Sequence, residues 1–332
     1  MHNVIEKMDW EQLADKALRG ERLTMEEGLR VLGGDDEQIL PIMQAAYKVR
    51  SYYYGNKVKL NMIMNAKSGL CPEDCGYCSQ SIVSSAPVPK YSFLDKESLL
   101  AGAREAMARQ AGTYCIVASG RGPTSRELDQ VIEAVTEIRR TMPLKICACL
   151  GLLRDEQAER LAAAGVHRYN HNLNTSQANY DSITTTHTYE QRADTVEKAK
   201  SSGMSPCSGV IIGMGESAAE IVEMAYALRE LDADSIPVNF LIPIPGTPLE
   251  SSARITPMQA LKVLALFRFI CPGKEIRVSG GRESSLRHLQ PLSLYAANSW
   301  FVGDYLTTGG QEVNEDHQMI EDLGFEIEKC AI

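Results

Sequence analysis

The 332-residue chain lacks several features that would place it in a class at once. It has no long hydrophobic run, and residues 1–20 alternate charged with isolated apolar residues, so we expect neither a signal peptide nor a membrane-spanning helix. Basic residues are outnumbered: 34 Lys and Arg against 43 Asp and Glu give a net charge of −9. Binding to nucleic acid needs clustered basic residues, so we expect no nucleic-acid partner. Because neither a signal peptide nor a membrane-spanning helix is expected, we also expect a cytoplasmic protein without a membrane partner.

The sequence also lacks low-complexity segments and long linkers. Hydrophobic residues make up 44% of the chain and charged residues 23%, which is ordinary for a globular protein with a substantial core. Nine cysteines are present. In a reducing compartment we expect them to be ligands or buried thiols rather than disulfides.

Three of the cysteines lie within eight residues, in the segment CPEDCGYC from Cys71 through Cys75 to Cys78. Its Pro and Gly predict a loop that brings three thiolates together. Soft thiolate ligands select zinc, copper(I) or iron–sulfur clusters. Structural zinc normally takes four ligands, and no fourth Cys or His lies nearby, so an iron–sulfur cluster is favoured. A zinc knuckle or a chance grouping is the alternative.

The hydrophobic pattern predicts an α/β protein. Residues from about Glu6 to Tyr54 have helical spacing and predict an N-terminal helical cap. From Lys57 onward, short β-rich runs alternate with amphipathic helical patterns, as in parallel βα architectures. Eight candidate strands start near Lys59, Thr113, Leu144, Val166, Pro206, Ser235, Glu275 and Ser299. Seven candidate helices span about 96–110, 125–140, 155–164, 189–202, 217–231, 256–269 and 284–297.

These elements predict a (β/α)8 TIM-type barrel over residues 55–308. A helical extension over 1–54 precedes it and a short C-terminal extension over 309–332 follows it. An open doubly wound sheet is the alternative. Such a sheet usually has a phosphate-binding Gly-rich turn after its first strand, whereas here the first strand runs into the cysteine loop.

A second group of chemically active residues lies on the predicted strands. Cys147 and Cys149 share one face of their strand, because side chains two positions apart point the same way. Cys115 and Cys207 lie on two other strands, so the four thiols can meet inside the barrel. Buried bystander cysteines are the alternative, since free cysteine is a common core residue. Arg277 also lies within a strand and needs a partner if it is buried.

Amide side chains and glycine-rich turns are further candidates for binding. Asn172 and Asn174 lie two positions apart, and Asn239 lies on another predicted strand. Buried amides need partners, which a polar pocket provides, but amides that cap turns are the simpler alternative. The segments 209–216 and 279–283 could let a ligand approach the backbone closely, although neither is strong evidence alone.

The CxxxCxxC spacing with an aromatic residue before the last cysteine resembles the radical S-adenosylmethionine superfamily. A longer set of motifs, in this order from about Tyr53 to Thr308, resembles the biotin synthase family. The set is KSGLCPEDCGYCSQ, YCIVASGRGP, YNHNLNTS, CSGVIIGMGE, SIPVNFL, GTPL, RVSGGRE and ANSWFVGDYLTT.

This resemblance implies that Cys71, Cys75 and Cys78 hold a 4Fe-4S cluster that also binds S-adenosylmethionine. One electron would cleave that cofactor and yield a 5′-deoxyadenosyl radical, which abstracts hydrogen from dethiobiotin. An auxiliary cluster would then donate the sulfur that bridges C6 and C9 of the substrate. Flavodoxin or ferredoxin would supply the electrons, and the protein would be a homodimer.

The family's auxiliary ligands correspond to Cys115, Cys147, Cys207 and Arg277, which hold a 2Fe-2S cluster in its best-known members. This chain adds Cys149. We therefore expect an all-cysteine 4Fe-type auxiliary cluster, with Arg277 as an outer hydrogen-bond donor. The alternative is the three-cysteine, one-arginine 2Fe-2S site, with Cys149 as a bystander.

The resemblance also implies binding roles for residues outside the two cysteine sets. Asn172 and Asn239 match positions near the ureido ring of dethiobiotin, and Asn174 replaces an Asp that contacts the ribose of S-adenosylmethionine in some members. The remaining candidate contacts to that cofactor are Tyr77, Arg192, Gly213 and Glu216. Two other functions stay open: another radical enzyme, such as a hydrogenase-maturation or methylornithine-synthase-like protein, or an iron–sulfur carrier without turnover.

Overall fold

The computed structural model describes residues 9–329, so the predicted helix start at Glu6 and the tail residue Cys330 lie outside the described residues. The N-terminal cap consists of helices α1 (Trp10–Leu18), α2 (Met25–Gly33) and α3 (Ile39–Tyr54), with a short 3-10 helix at Asp36–Gln38. Asp9 and Thr24 cap the first two helices by accepting backbone N–H bonds. The predicted helical cap is confirmed over these residues.

Parallel strands form a closed barrel, as predicted. Strand β1 pairs with both the second and the last strand of the barrel, which closes the sheet on itself. The fifth position is shared by two short strands, because β6 continues the line of β5. The strands are β1 (Lys57–Lys67), β2 (Thr113–Ala118), β3 (Lys145–Cys149), β4 (Arg168–Asn170), β5 (Ser205–Cys207), β6 (Val210–Ile212), β7 (Ser235–Phe240), β8 (Glu275–Val278) and β9 (Ser299–Phe301).

Helices cover the outside of the barrel. Several begin with a reciprocal capping box, in which a Thr or Ser and the residue three positions later satisfy each other's backbone donors, as at Thr124, Thr188, Ser217 and Thr256. The helices are α4 (Lys96–Ala108), α5 (Ser125–Thr141), α6 (Asp155–Ala164), α7 (Tyr180–Ile183), α8 (Tyr189–Ser201), α9 (Ala218–Glu230), α10 (Pro257–Ile270), α11 (Arg282–Leu286) and α12 (Val313–Asp322).

The last predicted helix, 284–297, differs from the structure. The segment forms the short helix α11 and then a 3-10 helix at Arg287–Tyr295 that contains Pro291, whose missing N–H interrupts a regular α-helix. The C-terminal extension contains α12 and a two-residue strand, β10 (Glu326–Ile327), which pairs in parallel with the start of β1. The division of the chain into three parts stays a prediction.

The barrel directs its chemistry to one end. All strands run the same way, so their carboxyl ends surround one mouth, and the cysteine loop follows the carboxyl end of β1 at this mouth. Between β5 and β6 the backbone at Gly209 lies against the Pro237 carbonyl, where any Cβ would clash. Helix α10 is buried on all sides. Within residues 9–329, no helix is long and apolar enough to cross a bilayer.

Candidate active site

A cavity of about 360 Å³ opens at the carboxyl ends of the strands. Its walls bring together residues that are far apart in sequence. All three cysteines of the loop line it, and so do most of the binding residues predicted from the sequence. The predicted residues in its walls are Cys71, Cys75, Tyr77, Cys78, Cys149, Asn172, Asn174, Arg192 and Asn239.

Asp74 fixes the cysteine loop to the segment that follows α7. Its carboxylate accepts hydrogen bonds from Thr184 Oγ1 at 2.6 Å, Thr185 N at 3.0 Å and Thr186 N at 3.2 Å. Burial alone would raise the pKa of Asp74, but these donors outweigh it and hold the pKa well below its usual range. The carboxylate is thus a fixed anion that shapes the loop without facing the cavity wall.

Neighbouring contacts complete the support of the loop. Glu73 is buried and accepts a hydrogen bond from Thr186 Oγ1 at 2.7 Å, and it pairs with Arg121 at 3.4 Å. The backbone N–H of Gly76 donates to Ile183 O at 2.9 Å. The loop is therefore preformed before any ligand is considered.

The three thiols of the loop are suited to bind an iron–sulfur cluster. Burial raises the pKa of Cys71 and Cys75 and raises that of Cys78 to about 12, so that without a metal they are neutral. A bound metal removes such protons outright. Within residues 9–329, no group of three His, Cys, Asp or Glu side chains is arranged to hold a metal ion. In an iron–sulfur cluster, each of the three thiolates would bond to a separate iron.

Arg192 lies on the cavity wall and is held by uncharged partners. Its Nε donates to Tyr180 OH at 2.8 Å, and its Nη1 donates to Asn172 O at 2.9 Å and to His171 Nε2 at 3.2 Å. Burial alone would lower the pKa of Arg192. The nearby tyrosines and Cys75 raise this pKa by more than burial lowers it, so the net shift is upward. The group keeps its positive charge and has no carboxylate partner among residues 9–329, which suits it to bind an anionic ligand.

His187 and His171 were not predicted from the sequence. His187 Nε2 lies 3.4 Å from Cys75 Sγ, and its Nδ1 lies 2.7 Å from Tyr180 OH, so it connects the cysteine loop to the partners of Arg192. Burial lowers the pKa of His187 to about 4 and that of His171 well below its usual value. The only signal for His187 was a lone His after a run of threonines, which has no motif.

The three predicted asparagines have different environments. Asn172 Oδ1 is buried and has no hydrogen-bond partner among the described residues. Asn239 donates to Val210 O at 2.9 Å and accepts from Gly280 N at 3.0 Å, so the barrel backbone orients it. Asn174 has a left-handed φ of 74° and donates to Tyr77 OH at 2.7 Å. The orphan oxygen of Asn172 is the most available of these groups for a ligand.

Two predicted cofactor contacts do not line the cavity. The carboxylate of Glu216 accepts hydrogen bonds from Gly213 N at 2.6 Å and Met214 N at 2.8 Å, so it closes its own turn. Burial raises the pKa of Glu216. In this structure Gly213 and Glu216 therefore act on the shape of the loop after β6, and their contact with a cofactor stays a prediction.

The second cysteine set lies deeper in the barrel. Cys115 and Cys147 are register partners on β2 and β3, and both pack against Phe301. Cys207 is fully buried on β5, and the charge of Arg277 acts on both Cys147 and Cys207. The barrel thus brings together the three cysteines and the arginine predicted from separate strands, and none of the four lines the cavity.

Cys149 occupies a different level from these four residues. It is the last residue of β3, two positions nearer the mouth than Cys147, and it forms part of the cavity wall with Val117 and Asn170. Burial raises its pKa to about 12, and the nearby charges include Cys147, Cys207 and Arg192. Cys149 therefore lies between the cysteine loop and the deeper set.

Arg277 has one group without a partner. Its Nη2 donates to Glu275 Oε1 at 2.6 Å and to Ser235 Oγ at 2.9 Å, and its Nε donates to Ser299 Oγ at 3.3 Å. Nη1 is buried and makes no hydrogen bond within the described part of the chain. An unpaired buried donor is costly, so a ligand at this place is expected. Arg277 was predicted from the sequence, whereas Glu275 was not, because no motif marks it.

Two family models match the chain. The model of the Radical SAM superfamily matches residues 65–228, which contain both the cysteine loop and all three cysteines of the deeper set. The model of the Biotin and Thiamin Synthesis associated domain matches residues 237–326, which contain Arg277. Together the two models extend over most of the barrel.

Curated relatives match along the whole chain. Biotin synthase of Bacillus pumilus is 66% identical over 325 residues, which is 98% of each chain. Biotin synthase of Bacillus cytotoxicus is 60% identical over 332 residues, which is 100% of each chain. Identity at this level over full length shows common family membership.

Solved structures with the same fold are more distant in sequence. Methylornithine synthase superposes with a TM-score of 0.84 at 19% identity, covering 96% of this chain and 97% of that one. The FeFe-hydrogenase maturase HydG from Carboxydothermus hydrogenoformans superposes with a TM-score of 0.81 at 19% identity, covering 97% and 80%. These similarities concern the fold alone.

Proposed function

The chain belongs to the biotin synthase family of radical S-adenosylmethionine enzymes, and on that premise we propose that it inserts sulfur between C6 and C9 of dethiobiotin to form biotin. One observation carries this proposal. A single barrel holds two separate thiol sets, one around the cavity and one beneath it. A radical enzyme that only rearranges its substrate has no use for the second set, whereas sulfur insertion needs a sulfur source below the substrate.

The upper set would hold the 4Fe-4S cluster. Cys71, Cys75 and Cys78 face one cavity, and three thiolates leave one iron for S-adenosylmethionine. When bound, the cluster and this cofactor supply the one-electron chemistry that activates an unreactive C–H bond, which no acid or base side chain can do. The enclosed barrel keeps water and other quenchers away from the reacting carbon.

The residues of the chain bind and orient around that chemistry. Arg192 would pair with the carboxylate of S-adenosylmethionine, since the described part of the chain offers its charge no carboxylate partner. Tyr77 and Asn174, joined by their hydrogen bond, would contact the adenosine portion. Asn172 Oδ1 would accept from a ureido N–H of dethiobiotin, and Asn239 would line the other side of the ring.

The lower set would hold the auxiliary cluster through Cys115, Cys147 and Cys207. The fourth ligand decides its type: Cys149 would give an all-cysteine 4Fe-type cluster, and Arg277 would give a 2Fe-2S cluster. The sequence favours Cys149 by its chemistry. Two structural observations support Arg277 instead, namely its orphan Nη1 and the place of Cys149 on the cavity wall. We therefore propose Arg277 as the fourth ligand.

Iron and sulfide analysis tests the choice between the two ligands. Cys149→Ala, purified and reconstituted without oxygen, is expected to keep the auxiliary iron content and Mössbauer spectrum of the wild type. The matched control is Cys271→Ala, which removes a buried thiol that donates to Ala225 O at 3.5 Å, outside both sets. Loss of the auxiliary signal in Cys149→Ala alone would establish the four-cysteine arrangement.

Product analysis tests the proposed reaction. The reconstituted protein with a one-electron reductant, S-adenosylmethionine and dethiobiotin is expected to yield biotin and 5′-deoxyadenosine, both measured by chromatography with mass detection. Cleavage of S-adenosylmethionine without biotin would favour another radical reaction of the methylornithine-synthase or hydrogenase-maturation kind. Absence of any cleavage would favour an iron–sulfur carrier.

The cellular setting belongs to the same proposal. All eight cysteines among the described residues are free thiols, which supports a reducing compartment such as the cytoplasm. The family likeness supports a homodimer and a flavodoxin or ferredoxin as electron donor. Among residues 9–329, no surface is assigned to a second subunit or to an electron donor.

A further inference from the structure

A buried ion network fills the base of the barrel beneath the lower cysteine set. Its centre is Glu275, the first residue of β8, which is 3% exposed. Its Oε1 contacts Arg277 Nη2 at 2.6 Å and accepts from Ser235 Oγ at 3.0 Å. Its Oε2 contacts Arg168 Nη1 at 3.1 Å and Lys59 Nζ at 3.5 Å. Four strands thus meet at one carboxylate.

The network determines the orientation of Arg277. Glu275 and Ser235 occupy Nη2, and Ser299 occupies Nε, so three of the donors are committed to the base of the barrel. Only Nη1 is left without a partner. Since a guanidinium is planar and rigid, fixing two of its nitrogens also fixes the direction of the third.

The excess of positive charge at the base of the barrel also favours a negatively charged ligand next to Arg277. Lys59, Arg168 and Arg277 carry three positive charges against the single negative charge of Glu275, and Arg168 and Arg277 are nearly or fully buried. Buried charges normally need compensation. The thiols of Cys147 and Cys207 lie within the electrostatic reach of both arginines and could supply negative charge as thiolates. An anionic cluster held by three thiolates would compensate this excess.

We propose that Glu275 is a positioning residue of the auxiliary site: held by Arg168 and Lys59, it orients Arg277 so that Nη1 faces the cluster bound by Cys115, Cys147 and Cys207. This inference rests on the proposed function, because it assumes the auxiliary cluster. It adds that the carboxylate, and with it the cationic base, belongs to the sulfur-donating site. Outer partners of metal ligands typically change metal affinity or activity by about 10- to 100-fold when they are removed.

The test compares Glu275→Gln with a carboxylate variant far from the barrel interior. Glu275→Gln is close in shape but leaves three cations without an anion, so we expect altered Mössbauer and visible spectra of the auxiliary cluster. We expect biotin per chain to fall about tenfold or more, while cleavage of S-adenosylmethionine continues. The control is Glu27→Gln, which breaks the pair between Glu27 and Lys16 at 2.7 Å in the N-terminal cap. It is expected to change neither spectrum.

A milder variant keeps the test decisive if Glu275→Gln does not fold. Ser235→Ala leaves every ion pair in place but removes the hydroxyl that bonds to both Glu275 and Arg277. We expect a shifted auxiliary spectrum and about a two- to fivefold loss of biotin per chain, since two hydrogen bonds to charged groups are lost while the ion pairs still hold Arg277. Unchanged auxiliary spectra in every folded variant would overturn the inference. Failure of the wild type to form biotin would instead overturn the proposed function.

Discussion

The two cysteine sets of the barrel are built in opposite ways. The upper set comes from one loop of eight residues, borders an open cavity, and is supported by hydrogen bonds to the neighbouring segment 184–186. The lower set comes from three different strands, is buried, and rests on the side chains of a fourth strand, β8. Strands position side chains more accurately than loops do. The upper site is therefore accessible to a cofactor, while the lower site is fixed by barrel register.

The arginines of the two sites differ in a corresponding way: one is available to a ligand and the other is fixed by the protein. Arg192, at the mouth, is held by tyrosine, histidine and backbone groups and keeps its charge for a ligand. Arg277, at the base, is paired with Glu275; burial alone would raise the pKa of this carboxyl, but Arg168, Arg277 and Lys59 hold it well below its usual range. The cation at the mouth is thus available to a ligand, whereas the cation at the base is fixed by a carboxylate.

The largest effect is expected from the upper set. Cys78→Ala removes one of three thiolates that hold the radical cluster, so both S-adenosylmethionine cleavage and biotin formation should fall below detection. The measurement is 5′-deoxyadenosine and biotin in an anaerobic assay with reductant. Cys271→Ala is the matched control and should behave like the wild type. Cleavage at the wild-type rate in Cys78→Ala would remove the loop from the cluster site.

The lower set should separate the two activities. Cys207→Ala leaves the cysteine loop intact, so S-adenosylmethionine cleavage should persist within a fewfold, while biotin should fall about 100-fold or more because the sulfur source is lost. The ratio of biotin to 5′-deoxyadenosine measures this directly. Equal loss of both products would mean that the two sites are not functionally distinct.

The same contrast explains how much the sequence could predict. The barrel was predicted because strand and helix patterns alternate along the chain. The grouping of the upper cysteines was predicted because all three lie in one short loop. The meeting of Cys115, Cys147 and Cys207 could be suggested from alternation along strands, but their level in the barrel depends on register between strands. Sequence alone therefore could not establish the level of Cys149 relative to Cys115 and Cys207 on the other strands.

Other features were not predictable because no local pattern encodes them. Glu275 looks like an ordinary charged residue at the start of a strand, and its role depends on Arg168 and Lys59, which are over a hundred residues away. His187 is a lone histidine whose partners, Cys75 and Tyr180, come from other segments. Pro291 lies inside the last predicted helix, 284–297, and the prediction took no account of it.

Arg192 provides the third prediction, at the mouth. Arg192→Lys keeps the charge but cannot reach Tyr180, His171 and Asn172 O with one ammonium group, so we expect the KM for S-adenosylmethionine to rise about 10-fold. The auxiliary spectrum should stay unchanged, because Arg192 does not contact the lower set. The control is Arg160→Lys, on the exposed surface pair with Asp129. An unchanged KM would remove Arg192 from the cofactor site.

Asn172 tests the substrate side of the same cavity with a smaller effect. Asn172→Ala removes the orphan oxygen proposed to accept from the ureido ring, so the KM for dethiobiotin should rise about three- to tenfold. The KM for S-adenosylmethionine should change less. Asn56→Ala, an exposed asparagine bonded to Tyr47, is the control. A larger effect on the cofactor than on dethiobiotin would reassign Asn172.

The smallest effect concerns stability at the base, where burial is the dominant force. His167 precedes β4, and burial, followed by the charges of Arg168 and Lys145, lowers its pKa to about 4. In the unfolded chain a histidine has a pKa of about 6.5, so the unfolded state binds more protons between these values. The folded protein should therefore lose stability as pH falls below 6.5, by on the order of 1 kcal/mol at pH 5, which is about half of what the two pKa values alone give because solvent screens the partly exposed ring.

Urea unfolding at several pH values measures this loss. His167→Asn has no titrating ring, so the difference in unfolding free energy between pH 7 and pH 5 should be smaller than in the wild type. His288→Asn is the matched control, because it replaces an exposed histidine in the 3-10 helix Arg287–Tyr295 and should leave that difference as in the wild type. Because His167 lies at the base and not at the mouth, the product ratio should not follow this titration. Parallel pH profiles for stability and for that ratio would mean that the base is coupled to the chemistry through His167 as well as Glu275.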